Sequence, residues 1–196
     1  MIRPEPVTLE RDSIRLEPLG GTHAAGLAAA AKDGALWELW YTVVPAPADA
    51  SAYVEHALSG QKSGHMLPWA VIDAASGAVI GSTRYHDIVA SIDRVEIGAT
   101  WYEASAQGTA VNPEAKCLLL ENAFASGYHR AEFKTDANNA QSRAALLKLG
   151  AKEEGTFRGH MWISKGYFRD TVYFSILANE WPAVRSALES RLASFA

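Results

Sequence analysis

The stretch Gln107-Gly-Thr-Ala-Val-Asn-Pro-Glu-Ala-Lys116, followed by an apolar run, then Ala131-Glu-Phe-Lys-Thr-Asp136 and Asn139-Ala-Gln-Ser-Arg143, decides how this chain folds. A small-residue loop opens a helix, a strand follows, and a second helix ends at Gly150. Asn112 is the predicted N-cap of the first helix, with Pro113 at the first helical position and Glu114 complementing the helix dipole. That helix is predicted to run to about Ser126 and stop at Gly127. Asn139 is the predicted cap of a helix over Ala140–Leu149, with Gly150 as its C-terminal stop. Strand, helix, strand in this order predicts a parallel pair at the centre of the sheet. Backbone N–H groups at a helix start can hold phosphate without a basic side chain. The two helix starts, at 107–112 and at 139–142, can hold the two ends of one long anionic cofactor.

Outward from this unit the chain alternates strands and helices. Ser13–Leu19 alternates apolar and polar residues as a strand does. Thr22 is the predicted cap of a helix over His23–Lys32, and Asp49 or Ser51 of one ending near Gln61. Trp69–Asp73 and Val79–Asp87 flank a hairpin turn. Arg94–Tyr102 is predicted to send Val95, Ile97, Ala99 and Trp101 one way and Glu96, Gly98, Thr100 and Tyr102 the other. Two last strands, Thr156–Ile163 and Phe168–Leu177, flank Ser-Lys-Gly, and a helix over Trp181–Ser194 closes the chain. The expected architecture is mixed α/β (α+β) with a largely antiparallel sheet. Residues 1–12 read as a tail and 13–196 as one domain.

Composition narrows the function classes. The chain has 196 residues, 48% of them hydrophobic, which supports a sizeable core. A formal charge of −4 offers no electrostatic footing for nucleic acid or an anionic membrane. The one cysteine, Cys117, sits in an apolar helical run and reads as a buried thiol; the six histidines show no metal-ligand spacing. No run is long enough to span a bilayer and the first residues lack a signal-peptide core, so the expectation is a cytoplasmic protein without a metal. Oligomeric state is left open.

The ordered set Gly81-Ser-Thr-Arg-Tyr, Glu96-Ile-Gly-Ala-Thr-Trp-Tyr, the Gln107 loop, Asn139-Ala-Gln-Ser142, Lys148-Leu-Gly-Ala, Glu154-Gly-Thr-Phe-Arg and Arg169-Asp-Thr-Val-Tyr-Phe-Ser-Ile resembles the GNAT acyl-CoA-dependent acetyltransferases. The branch it resembles most is that of the Rim-type ribosomal-protein N-terminal acetyltransferases. The resemblance implies a GNAT-like splayed sheet flanked by helices, with acetyl-CoA between Arg94–Tyr102 and Ala131–Thr135. It implies cofactor contacts from Ala99, Thr100, Trp101 and Tyr102, from the pyrophosphate loop Gln107, Gly108, Thr109, Ala110, Val111 and Asn112, and from Asn139 and Ser142. Ala110 and Asn112 stand where the family has small loop residues. The implied activity is acetyl transfer to a primary amine, on a protein N-terminus or a small molecule. The alternative is a non-catalytic acyl-CoA-binding or interaction module with a degenerate loop.

Such a transfer needs a polarised thioester, a deprotonated amine and a route for the leaving thiolate. Glu96 is either the base, acting through water, or a structural carboxylate bonded to Arg84. Ser142 is either near the thioester sulfur as an acid or a first-turn serine bonded to backbone. Arg158, His160 and Trp162 are predicted on one strand face: His160 as a base or a structural histidine, Arg158 as an acceptor ligand or the partner of Asp170 or Glu154. Trp37, Trp40 and Tyr41 either wall the acceptor pocket or pack as core. Arg84 and Trp162 complete the expected acceptor side. Arg169 and Asp170 are expected to pair across the last hairpin.

Overall fold

A computed structural model describes residues 4–39, 43–163 and 166–195. Eight strands form one sheet in the order β1-β2-β3-β4-β5-β6-β8-β7: β1 Leu9–Glu10, β2 Ile14–Pro18, β3 Leu67–Asp73, β4 Val79–Val89, β5 Arg94–Tyr102, β6 Arg130–Asp136, β7 Lys152–Ile163 and β8 Tyr167–Leu177. All neighbours pair antiparallel except β5 and β6, which are parallel. The GNAT-like mixed, largely antiparallel sheet expected from the sequence is present. Leu9–Glu10 add an edge strand, and Arg11 joins Glu189 near the C-terminal helix.

The helices cover the two faces unequally. α1 (Ala24–Lys32) and α2 (Ala50–Lys62) enclose one core with Leu19, Ala70, Ile72 and Trp101. α3 (Val111–Ala125), α4 (Ala140–Leu149) and α5 (Trp181–Leu192) bury the other, around Trp69, Tyr85, Phe133, Phe174 and Leu120. The reason is the alternation along β6: Ala131 and Phe133 point into the α3 core, while Glu132 and Lys134 point the opposite way. The sheet thus separates an α3/α4 face from an α1/α2 face.

Several local expectations are corrected. α1 has no Thr22 cap; the Gly20 N–H donates to the His23 ring instead, 3.0 Å away. Asp49 stands before α2 without a side-chain capping bond. α3 begins at Val111, so Asn112 and Pro113 lie inside its first turn, and the Thr109 hydroxyl receives the Val111 N–H at 3.3 Å. Asn112 is not free to cap because its Oδ1 accepts from the Tyr102 hydroxyl at 3.2 Å. Asn139 does cap α4, accepting the Ser142 N–H at 2.9 Å.

β5 departs most from its predicted alternation. Ala99 has φ +46°, and the pairing with β4 slips between Ser82↔Trp101 and Arg84↔Gly98. A bulge adds one residue and reverses the parity beyond it. Val95 and Ile97 therefore share the α3 core with Tyr102, while Trp101 faces α1 and α2. In β7, three residues, Arg158–His160, oppose Asp170 alone, and Gly159 takes φ +57°. That bulge separates His160 from Trp162: His160 meets Thr171 and Tyr173, whereas Trp162 pairs with Phe168 and is 61% exposed.

Candidate active site

β5 and β6 run side by side only from Arg94↔Arg130 to Glu96↔Glu132. Beyond Glu96 the strands diverge, and the facing edges of Ile97–Tyr102 and Phe133–Asp136 form an open fork. The Ala99 bulge lies on that edge, with Ala99 exposed. Gly81 allows the close approach that holds β5 here: a Cβ on it would stand 2.2 Å from the Trp101 carbonyl oxygen.

The α3 start lies at one end of the fork. Among the described residues the N–H groups of Gly108, Thr109, Ala110 and Asn112 have no hydrogen-bond partner. Gly108 has φ +78° with open space where a Cβ would stand. These four donors at a helix start form an anion cradle without a basic side chain. Gln107 ties the cradle to both sides of the fork: its Nε2 donates to the Tyr102 carbonyl at 3.2 Å, and its Oε1 accepts from Gln141 of α4 at 3.3 Å. This bond links the two helix starts, and Ser142 is half-buried in the first turn of α4.

On the α3 face beside the fork, Thr83 of β4 and Thr100 of β5 share a hydrogen bond of 2.7 Å. Lys116 of α3 donates to Thr100 at 2.9 Å, and its Nζ lies 5.7 Å from the Phe133 ring centroid. The lysine is 6% exposed, and burial pushes its pKa down to about 7.

The α1/α2 face carries the charged groups. Glu96 is bonded to Lys134 at 2.8 Å and lies 3.9 Å from His86, so its partner is not Arg84. Burial alone would lower the Lys134 pKa; the hydrogen bond and charge of Glu96 reverse this and hold it above its ordinary value. Burial lowers the His86 pKa, with Glu96 opposing. The Lys134 ammonium sits 5.3 Å from the Tyr173 ring centre, and Tyr173 packs with His160 and Phe157. Arg84 is 3% exposed, lies over the Tyr53 ring at 4.8 Å, and leaves Nε and Nη2 without a partner.

The remaining expectations separate. Glu96, Arg84 and His160 share the α1/α2 face, while Asn139, Ser142, Thr100, Tyr102 and the loop share the other. Trp101 sends its indole to Tyr53, so only its backbone lines the fork. Arg158 makes no ion pair among the described residues: Glu154 is bonded to Arg130, and Asp170 accepts the Gly159 N–H. Arg169 donates to Thr171, not to Asp170. Trp37 packs half-buried against the α1–α2 core, and Trp40 and Tyr41 lie outside the described residues. Lys116, Lys134 and Tyr173 were not predicted. A lysine inside the apolar run 115–120 was the available signal for the first.

A splayed parallel pair with an amide cradle at the following helix accompanies a direct sequence match. The acetyltransferase (GNAT) domain family matches residues 13–152. The chain belongs to the GNAT acetyltransferase family. It is similar to a GCN5-related N-acetyltransferase from Brucella melitensis, with 32% identity, a TM-score of 0.86, and coverage of 97% of this chain and 87% of that one. A putative acetyltransferase from T. thermophilus is also 32% identical, with a TM-score of 0.83 and coverage of 96% and 98%. RimJ from Mycobacterium smegmatis, solved with CoA-disulfide, shares the fold at 22% identity and a TM-score of 0.82, covering 97% of each chain. No curated protein matches the chain. Among the described residues there is no helix long and apolar enough to cross a membrane, and no cluster of metal-ligating side chains.

Proposed function

We propose that this GNAT acyltransferase moves an acetyl group from acetyl-CoA directly onto a primary amine, on a protein N-terminus or a small molecule. The observation that carries the reading is the amide cradle of Gly108, Thr109, Ala110 and Asn112 at the mouth of the β5–β6 fork. Its donors suit a pyrophosphate, and the unpaired edge of β5 suits the amide groups of a pantetheine arm. Acetyl-CoA supplies an activated acetyl group when bound.

The chain's own residues then divide the work. Ile97–Tyr102 present backbone donors and acceptors along the fork, and Gln107 fixes the loop against Tyr102 and Gln141. Glu96 takes up the proton of the acceptor amine on the α1/α2 face, through water, while Lys134 orients its carboxylate. His160 and Arg84 line the acceptor side, and Ser142 stands beside the fork as the donor for the leaving sulfur. Direct transfer agrees with Cys117, whose thiol is fully buried, has its pKa raised by burial, and touches Arg11.

Titration calorimetry with acetyl-CoA and with its adenosine 3′,5′-bisphosphate fragment, followed by thiol release across a panel of amines, tests this. Saturable acetyl-CoA binding that exceeds the fragment's, with amine-dependent thiol release, is the expected result. Undetectable binding at millimolar acetyl-CoA would overturn the reading. Binding without amine-dependent release would point instead to the non-catalytic alternative.

A further inference from the structure

Lys116 has no role in what has been described so far, yet its placement is costly. It projects from the buried side of α3 into the fork, between Thr100 on β5 and Phe133 on β6. Its neighbours along the helix, Ala115, Cys117, Leu119 and Leu120, are fully buried and apolar. An ammonium carries three donors, and Lys116 uses one, to the neutral hydroxyl of Thr100. No carboxylate lies within ion-pair distance of it among the described residues; Glu96, Asp87 and Glu132 are paired with Lys134, Arg94 and Arg130, and Glu96 and Glu132 point to the opposite face of the sheet. A buried cation with a neutral partner and a ring face destabilises the fold relative to an apolar side chain of the same length. Among the described residues its other two donors have no acceptor, and the lysine lies on the face where α3 and α4 carry the cradle and Asn139.

We propose that Lys116 is a ligand of the acyl-pantetheine arm, its Nζ donating to a carbonyl oxygen of that arm where it enters the β5–β6 fork. Thr100 is the positioning residue that holds the amine at the Ala99 bulge, with Thr83 bonded behind it. The arm's amide and thioester carbonyls are acceptors, and a donor in a dry fork is worth more than one in water. The inference rests on acetyl-CoA occupying the fork.

Lys116→Met keeps the length of the side chain and removes the donor. Its dissociation constant for acetyl-CoA should rise about 10- to 100-fold, while that for adenosine 3′,5′-bisphosphate, which has no pantetheine arm, stays within twofold. Its thermal unfolding temperature should rise, because the desolvated cation is gone; a merely structural lysine would give the opposite shift. Thr100→Val, which releases the amine without touching α3, should weaken acetyl-CoA in the same direction and spare the fragment. Unchanged acetyl-CoA affinity in both variants would overturn the proposal, as would an equal loss for acetyl-CoA and fragment. Failure of the unmodified protein to bind acetyl-CoA would instead remove the proposed function on which it rests.

Discussion

The buried lysine should write itself into the pH dependence of stability. Lys116 has a folded-state pKa near 7, against an ordinary lysine value of 10.5. The unfolded chain therefore binds this proton more tightly than the folded one, and stability rises with pH wherever that difference persists. Below about pH 7 the penalty is complete; it is relieved as pH climbs towards the ordinary lysine range. The full difference in pKa corresponds to about 5 kcal/mol, and between about pH 7 and pH 9 roughly 2 kcal/mol of it returns as added stability. Other groups titrate nearby. Cys117 has its pKa raised by burial and so acts in the opposite direction as pH rises. The difference between wild type and Lys116→Met isolates the lysine. Urea unfolding at a series of pH values should show the variant more stable by several kcal/mol near pH 7 and the two proteins converging towards pH 10. Parallel stability curves for the two proteins would refute the desolvated lysine, and with it the reason given for its function.

Two further substitutions probe the geometry of the site. Gly81→Ala should destabilise by about 1–3 kcal/mol or more and weaken acetyl-CoA binding, because the added Cβ meets rigid backbone, the Trp101 carbonyl oxygen at 2.2 Å and the Tyr102 Cα at 2.9 Å; denaturant midpoints and calorimetry would show otherwise if β4 can shift freely. Glu96→Gln should lower kcat while leaving the acetyl-CoA dissociation constant unchanged, and cost roughly 1–3 kcal/mol, since Lys134 loses its charged partner at 2.8 Å and keeps Asp87 at 3.6 Å; wild-type turnover across the pH range would remove Glu96 from the mechanism.

The sequence made the frame legible where one signal dominated. The strand at Ala131–Thr135, the Asn139 cap and the glycine at 150 all mark structure through local chemistry, and each stands as expected. It was silent where two local preferences competed. Asn112 has the side chain of an N-cap, but Tyr102 claims its carbonyl and Thr109 receives the Val111 N–H, so the helix starts earlier. The Ala99 bulge falls on a residue with no glycine signature, which is why the predicted faces of β5 hold only up to Ile97. In β7 the extra residues at Arg158–His160 separate His160 from Trp162 although simple alternation groups them. Charge partners were the least legible: Glu96 chose Lys134 from a strand distant in sequence, across the fork.

The division of the sheet into two faces bears on the acceptor. Reagents arriving from the α3/α4 face meet backbone donors and one buried ammonium; those from the α1/α2 face meet Glu96 and Asp87 balanced by Lys134 and Arg94, with the Arg84 guanidinium making no ion pair among the described residues. A lysine-rich tail needs a net negative field, and this face does not supply one. A single α-amine, with a pKa of about 7.7–8.0, needs far less deprotonation than a lysine side chain at about 10.4. It can reach one carboxylate beside the Tyr173–His160–Phe157 rings, where an apolar neighbour would be accommodated. Under the proposed function, the charge balance and the rings therefore favour a small amine or an N-terminal residue with an apolar group over a polybasic segment.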